Sequence, residues 1–306
     1  MKVAVLSGGV GGARFLLGLV DALDSGGVTV IGNVGDDLEL WGLHVSPDLD
    51  SVLYTLTGRG DRERGWGRAG ETWNAWETVG ELGGEAWFML GDRDLGLHVV
   101  RTELLRGRRT LAEATAALAA RWELPVSLLP ATNDRLRTHV ATDAGEFPFQ
   151  EWFVARGHRD DATGVRYEGA EAARPAPGVL AALDEAQLIV FAPSNPYVSI
   201  GPILAVREIG DAIAARRVPC VAVSPLIGGR AVKGPADRML RRLAGGTTPA
   251  HVASCYEGLI DVLVIDPADA SEDSPVPTLV TPTLMSSEDA RRRLAEAVLD
   301  AAGVAA

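Results

Sequence analysis

Apolar residues along the chain fall into short unbroken runs, each closed by glycine, proline or a polar turn. Val3 to Leu6 ends at Ser7-Gly8-Gly9, Val28 to Ile31 at Gly32-Asn33, and Trp87 to Leu90 at Gly91-Asp92. In the second half, Leu188 to Ala192 ends at Pro193-Ser194, Cys220 to Ser224 at Pro225, and Val262 to Ile265 at Asp266. Runs without polar alternation are strands covered on both faces, the pattern of a parallel sheet. Helical spacing fills the intervals: from Ala13, from near Asp50 through Val52, Leu53 and Leu56, from Leu111 to Trp122, and in a closing helix from Glu288 to Ala302. The alternation predicts a doubly wound α/β fold.

Two stretches break the pattern. From Thr57 to Pro130 the chain turns polar, glycine-rich and aromatic, and five of the seven tryptophans lie between Trp41 and Trp87. This predicts an inserted, mainly helical lobe over 57–130 within a single domain spanning 1–306. Thr138 to Thr142 and Pro148 to Val154 alternate around Ala144-Gly145-Glu146, which predicts a β-hairpin over 136–155. The segment from Pro267 to Pro282 reads as a proline- and acid-rich loop with one short strand.

Composition narrows the function. The 306 residues are 47% hydrophobic and 23% charged, as in an ordinary globular protein. A net charge of -12 argues against a duplex nucleic-acid binder, which needs a positive face to displace counterions. No run approaches the length of a membrane span, and only four apolar residues precede the first glycines, too few for a signal peptide. Cys220 and Cys255 fit neither a disulfide framework nor a paired metal motif, so a cytoplasmic setting is expected. Only two lysines, Lys2 and Lys233, stand among the 29 basic residues, which singles out Lys233.

The chemistry gathers where strands end. Gly8, Gly9, Gly11 and Gly12 allow positive φ and leave amides open at a helix N-terminus, which suits a phosphate. The spacing matches neither GxGxxG, since Arg14 stands at the last position, nor a P-loop. Asp36 and Asp37 follow the second strand and should lie beside that turn; they would share a Mg²⁺ with phosphate or hold a ribose hydroxyl. In Ser46-Pro47-Asp48-Leu49-Asp50, Ser46 or Asp48 can cap the next helix, and Asp50 is the first choice for metal or base work. Trp66, between two glycines, suits a flat ligand, and Asp92, Arg93 and Asp94 cluster at a strand end. His98, one turn after Asp94, reads as part of a solvated helix face. Ser194 and Asn195, set among prolines, can hydrogen-bond a ligand, and Lys233 precedes a second anion-accepting helix start at Gly234-Pro235. All four asparagines, at 33, 74, 133 and 195, fall in such loops and suggest ligand contacts.

SGGVGGARFL, GNVGDD, SPDLDSVLYTL, GDRDLGLH, FQEWFV, APSNPYVSIGPIL, SPLIGG and VKGPADRML, in that order along nearly the whole chain, resemble the 2-phospho-L-lactate transferase family of deazaflavin-coenzyme (F-420) biosynthesis. The resemblance implies a Rossmann-like, three-layer α/β/α fold and a homodimer. It also implies Mg²⁺-dependent transfer of a phospholactyl or phosphoenolpyruvyl group from a guanosine diphosphate conjugate to a hydroxyl of the deazaflavin Fo, with GMP leaving. Asp50 and Asp37 would then be catalytic, and Asp36, Asp37 and Asp50 would hold the metal. Gly8, Gly9, Gly11, Gly12, Ser194, Asn195 and Lys233 would bind the nucleotide, and Asp50, Trp66, Asp92, Arg93 and Asp94 the deazaflavin. GWG and ETWNAW look most like the actinobacterial branch, which favours the phosphoenolpyruvyl donor. The alternative is a nucleotide-sugar-binding regulator of the same fold, without transferase chemistry; an NAD dehydrogenase is disfavoured by the incomplete glycine fingerprint and the crowd of acids.

Overall fold

The computed structural model describes residues 1–23 and 25–303. Seven parallel strands form the central sheet, in the spatial order Thr278–Val280, Val262–Ile265, Cys220–Val223, Leu188–Phe191, Val3–Ser7, Val28–Gly32, Ser127–Pro130. Numbered along the chain, that order is 7-6-5-4-1-2-3, with the direction of travel reversing between the strands Leu188–Phe191 and Val3–Ser7. Val3 pairs with Val28 on one side and Leu188 on the other. Every residue of the four strands Val3–Ser7, Leu188–Phe191, Cys220–Val223 and Val262–Ile265 is at most 2% exposed, so both faces of the sheet are covered by helices, as the unbroken apolar runs require. This is the Rossmann-like α/β/α arrangement, and its ligand crevice opens at the carboxyl ends of the two strands that flank the reversal.

The helix Gly9–Ala22 begins directly after the first strand and packs on the closing helix Glu288–Ala301 and on the helix Pro47–Leu56. The crossing with the closing helix is close at Gly18, where a Cβ would lie 2.2 Å from the carbonyl oxygen of Arg291.

Four elements differ from the sequence reading. Trp87 to Leu90 forms no strand; it runs as an irregular segment whose apolar side chains line a cavity rather than a sheet interior. The segment 57–130 does contain helices, Asn74–Glu81, Asp92–Arg106 and Leu111–Arg121, but its last residues, Ser127–Pro130, are the outer strand of the main sheet. The hairpin strands are Arg137–Thr142 and Gly145–Pro148, joined by a third strand, Ala162–Glu168, while Glu151–Ala155 is a π-helical turn that buries Trp152. A small ribbon, Leu38–Leu40 with Leu43–Val45, follows the second strand and went unread because each arm has only three residues.

The helix crossing gives a paired expectation. Alanine at either Gly18 or Gly96 gains about 1 kcal/mol of helix propensity. Gly96 in the helix Asp92–Arg106 has nothing within 4 Å of its added Cβ, so Gly96→Ala should raise the urea midpoint. Gly18→Ala should lower it, overpacking costing about 1–3 kcal/mol; a rise in both variants would refute the close crossing.

Candidate active site

The reversal of strand order leaves Gly8 facing Ser194. The Ser194 hydroxyl donates to the Gly8 carbonyl at 2.7 Å and accepts from the Gly8 amide at 3.4 Å, joining residues 186 positions apart. A Cβ at Gly8 would lie 2.6 Å from Asp48 Oδ2, one at Gly11 2.8 Å from the Pro193 carbonyl oxygen, and one at Gly12 2.3 Å from Ser7 Oγ. Gly9 has φ +67°. The glycine turn is therefore demanded by its protein neighbours, whose atoms stand where side chains would otherwise be.

From this turn a cavity of about 720 Å³ extends. Gly8, Gly9, Gly11, Ser194, Asn195, Arg14 and Lys233 line one end. Lys233 Nζ and an Arg14 guanidinium nitrogen converge near Gly65, where an added Cβ would meet them at 2.4 and 3.6 Å. Among the described residues neither cation has an acidic partner. Trp66 is 44% exposed and borders the opening, and Val45 and Trp87 to Leu90 form an apolar wall.

The cavity is also acidic: Asp36, Asp48, Asp50 and Asp94 line it, all four are buried, and Asp48 stands against the glycine turn itself. Asn33 positions two of its segments: its amide donates to Asp48 Oδ2 at 2.9 Å and to the Val198 carbonyl at 3.1 Å, while its oxygen accepts from the Gly35 amide at 2.7 Å. Burial, then the charge of Asp48, holds the Asp36 carboxyl well above the usual carboxylate range. Burial likewise pushes Asp48 up to about 6, against hydrogen bonds from Asn33 and the Gly9 amide. Asp37 lies just behind the cavity; its Oδ2 accepts from the Ser46 hydroxyl at 2.9 Å and lies 2.9 Å from His44 Nε2. Ser46 thus occupies the N-cap position of the helix Pro47–Leu56 while its side chain serves Asp37.

Asp50 is held by a residue the sequence did not disclose. The Arg101 guanidinium, 1% exposed, donates through Nη1 to Asp50 Oδ2 at 3.0 Å and through Nη2 to Oδ1, a two-pronged pair. Asp94 accepts from the Tyr54 hydroxyl, and burial pushes its carboxyl up to about 7. His98, expected on a solvated face, is 1% exposed, and burial holds its imidazole at about 4. Asp94, His98 and Arg101 follow the i, i+4, i+7 spacing of one helix face, so the sequence showed their alignment; it could not show that the face is buried.

Asp92 and Arg93 do not line the cavity. Asp92 accepts from Thr72, Asn74 and Ala75, fastening the start of the helix Asn74–Glu81, and the Thr72 hydroxyl leads in lowering it to about 2. Arg93 is exposed, its amide bonded to Glu71. Of the four asparagines only Asn195 lines the cavity, and its oxygen also caps Tyr197 at 2.9 Å; Asn33, Asn74 and Asn133 brace backbone or neighbouring side chains.

Over residues 3–283 the sequence matches the family described as 2-phospho-L-lactate transferase CofD. The chain belongs to that family. It is 45% identical to the phosphoenolpyruvate transferase of Streptomyces griseus subsp. griseus, covering 99% of this chain and 98% of that one. The phosphoenolpyruvate transferases of Streptomyces coelicolor and Mycolicibacterium smegmatis are 46% and 39% identical, over 98% and 99% of this chain and 97% and 99% of theirs. Among solved structures, a Bacillus halodurans protein of the UPF0052 family superposes with a TM-score of 0.64 at 17% identity, over 98% of this chain and all of that one, which establishes a shared fold. Among the described residues no helix is long and apolar enough to cross a membrane.

The buried Asp94 carboxyl makes a pH prediction for this CofD-family chain. Its pKa rises from an unfolded value near 3.9 to about 7 when folded, so the folded state binds the extra proton. Its stabilising contribution is complete below about pH 4 and is lost as pH rises through about 7. The stability difference between wild type and Asp94→Asn, read by urea denaturation, should therefore fall across pH 4–7; a difference independent of pH contradicts the assignment.

Proposed function

We propose that this protein transfers a phosphoenolpyruvyl group from a guanosine diphosphate conjugate to a hydroxyl of the deazaflavin Fo, releasing GMP. The observation that carries the reading is the make-up of one cavity: a glycine turn at a helix N-terminus, Arg14 and Lys233 line it together with four buried carboxylates. A diphosphate donor needs the turn and the cations and an alcohol acceptor needs the carboxylates, while the apolar segment Trp87 to Leu90 and Trp66 offer surface to a flat ring. Family membership and the names of the Streptomyces and Mycolicibacterium relatives support transferase chemistry and the choice of donor.

The acceptor oxygen forms a bond to the donor phosphorus nearest the enolpyruvyl group. The bridging P–O bond breaks, and its electron pair leaves with GMP. The helix N-terminus at Gly9, Arg14 and Lys233 would neutralise the phosphates. Asp50, oriented by Arg101, would accept the hydrogen of the attacking hydroxyl. An alcohol is too weak an acid to ionise beforehand, so this proton moves late.

The buried acids also fit Mg²⁺. Among the described residues Asp36 Oδ1 and Asp37 Oδ1 are buried without a hydrogen-bond partner, and such oxygens near a further carboxylate, Asp48, suit a cation. Among the described residues no three His, Cys, Asp or Glu side chains converge as a ready metal cage, so an ion here would have to take one or two carboxylates and complete its shell with phosphate oxygens and water. Asp36 and Asp48 would hold it, with Asp37 behind them; Asp50, already engaged by Arg101, is less available than the sequence suggested. When bound, Mg²⁺ would offset charge on the diphosphate.

Mass spectrometry of mixtures containing purified protein, Fo and the enolpyruvyl conjugate of guanosine diphosphate tests this. Phosphoenolpyruvyl-Fo and GMP should form in equal amounts, excess chelator should stop both, and Asp50→Asn should cut turnover at least 100-fold. No product from the wild type with Mg²⁺ present overturns the reading.

A further inference from the structure

The helix Asp92–Arg106 carries a buried face that reaches the cavity, and the mechanism above leaves His98 on that face unused. His98 is 1% exposed and lines the cavity. Arg101 Nη1 lies 3.3 Å from His98 Nδ1. A guanidinium has only donors to offer, so this contact requires a lone pair on Nδ1, and the ring hydrogen must sit on Nε2. Among the described residues Nε2 has no hydrogen-bond partner; the nearest carboxylate oxygen, Asp94 Oδ1, is 3.7 Å away and already accepts from Tyr54. A buried N–H left unpaired is costly, and the residue that carries this one lines the cavity a ligand would fill.

We propose that His98 is an acceptor-contacting residue, whose Nε2–H donates to a hydroxyl oxygen of the polyol chain of the acceptor, beside the hydroxyl that reacts. This rests on the reading of Fo as acceptor. The polyol chain is favoured over the ring because the same guanidinium grips Asp50, whose Oδ2 is 3.8 Å from His98 Nδ1. Whatever meets His98 is therefore close to the atom Asp50 handles. The ring has an apolar wall of its own along Trp87 to Leu90. Arg101 is the positioning residue of the pair: one side chain orients Asp50 and sets the His98 tautomer.

The test compares wild type, His98→Leu and His98→Gln by fluorescence titration with Fo and with an analogue that keeps the terminal hydroxyl but lacks the secondary hydroxyls. His98→Leu should weaken Fo binding about tenfold, the worth of one buried hydrogen bond, with GMP affinity unchanged; His98→Gln, which retains a donor, should recover most of it. Wild type should lose a similar factor on the analogue, and His98→Leu should not distinguish the two ligands. Equal affinity of His98→Leu and wild type for Fo, or undiminished discrimination by His98→Leu, overturns the inference while leaving the transferase reading intact. A flat titration of the wild type overturns both. Nitrogen-15 spectra of the wild-type imidazoles supply a readout that needs no variant: His98 Nδ1 should show the signature of an unprotonated nitrogen, and Nε2 should shift when Fo is added. A protonated Nδ1, or an Nε2 resonance indifferent to Fo, overturns the proposal.

Discussion

Asp36, Asp37, Asp48 and Asp50 are each at most 6% exposed, and burying that much negative charge in one place is the constraint to which the rest of the site answers. An isolated buried carboxylate is unaffordable unless it is paired, protonated or bound to a cation. The first two are present. Asp50 has the buried Arg101 guanidinium, Asp37 has Ser46 and His44, and Asp36 and Asp48 are pushed toward the protonated form. A neutral carboxyl that must ionise when a cation arrives links metal binding to proton release.

The fold concentrates these acids because the sheet changes direction between Val3–Ser7 and Leu188–Phe191. Loops after adjacent strands there diverge to opposite faces and leave a crevice. Ser194 ties the two sides through Gly8, Asn33 ties Asp48 to Val198, and Arg101 reaches in from the helix Asp92–Arg106. The glycine turn and the buried acids are thus one braced unit built from segments far apart in the chain.

What was legible in the sequence was local. The strand runs, the glycine turn and the spacing of the acids each arise within a few residues, and five of the six strand readings sit in the sheet where expected. The sixth, Trp87 to Leu90, misled because an apolar run carries the same signal whether it faces a sheet or a ligand cavity. Arg101 and Asp50 are 51 residues apart, and nothing local distinguishes a guanidinium destined for burial from the other arginines of so arginine-rich a chain. His98 is buried where its spacing suggests a solvated face for the same reason: helical spacing locates a face, and only packing decides what covers it. Asp92, which looked like chemistry, fastens a neighbouring helix.

The central claim is that the buried acids take a cation together with the donor's phosphates. Titration calorimetry of Mg²⁺ with GMP near pH 6, repeated in buffers of different ionisation enthalpy, counts the protons exchanged on binding. The account predicts net proton release, abolished in Asp36→Asn together with Asp48→Asn. Binding with no proton exchange, or with release unchanged in that double variant, would contradict it.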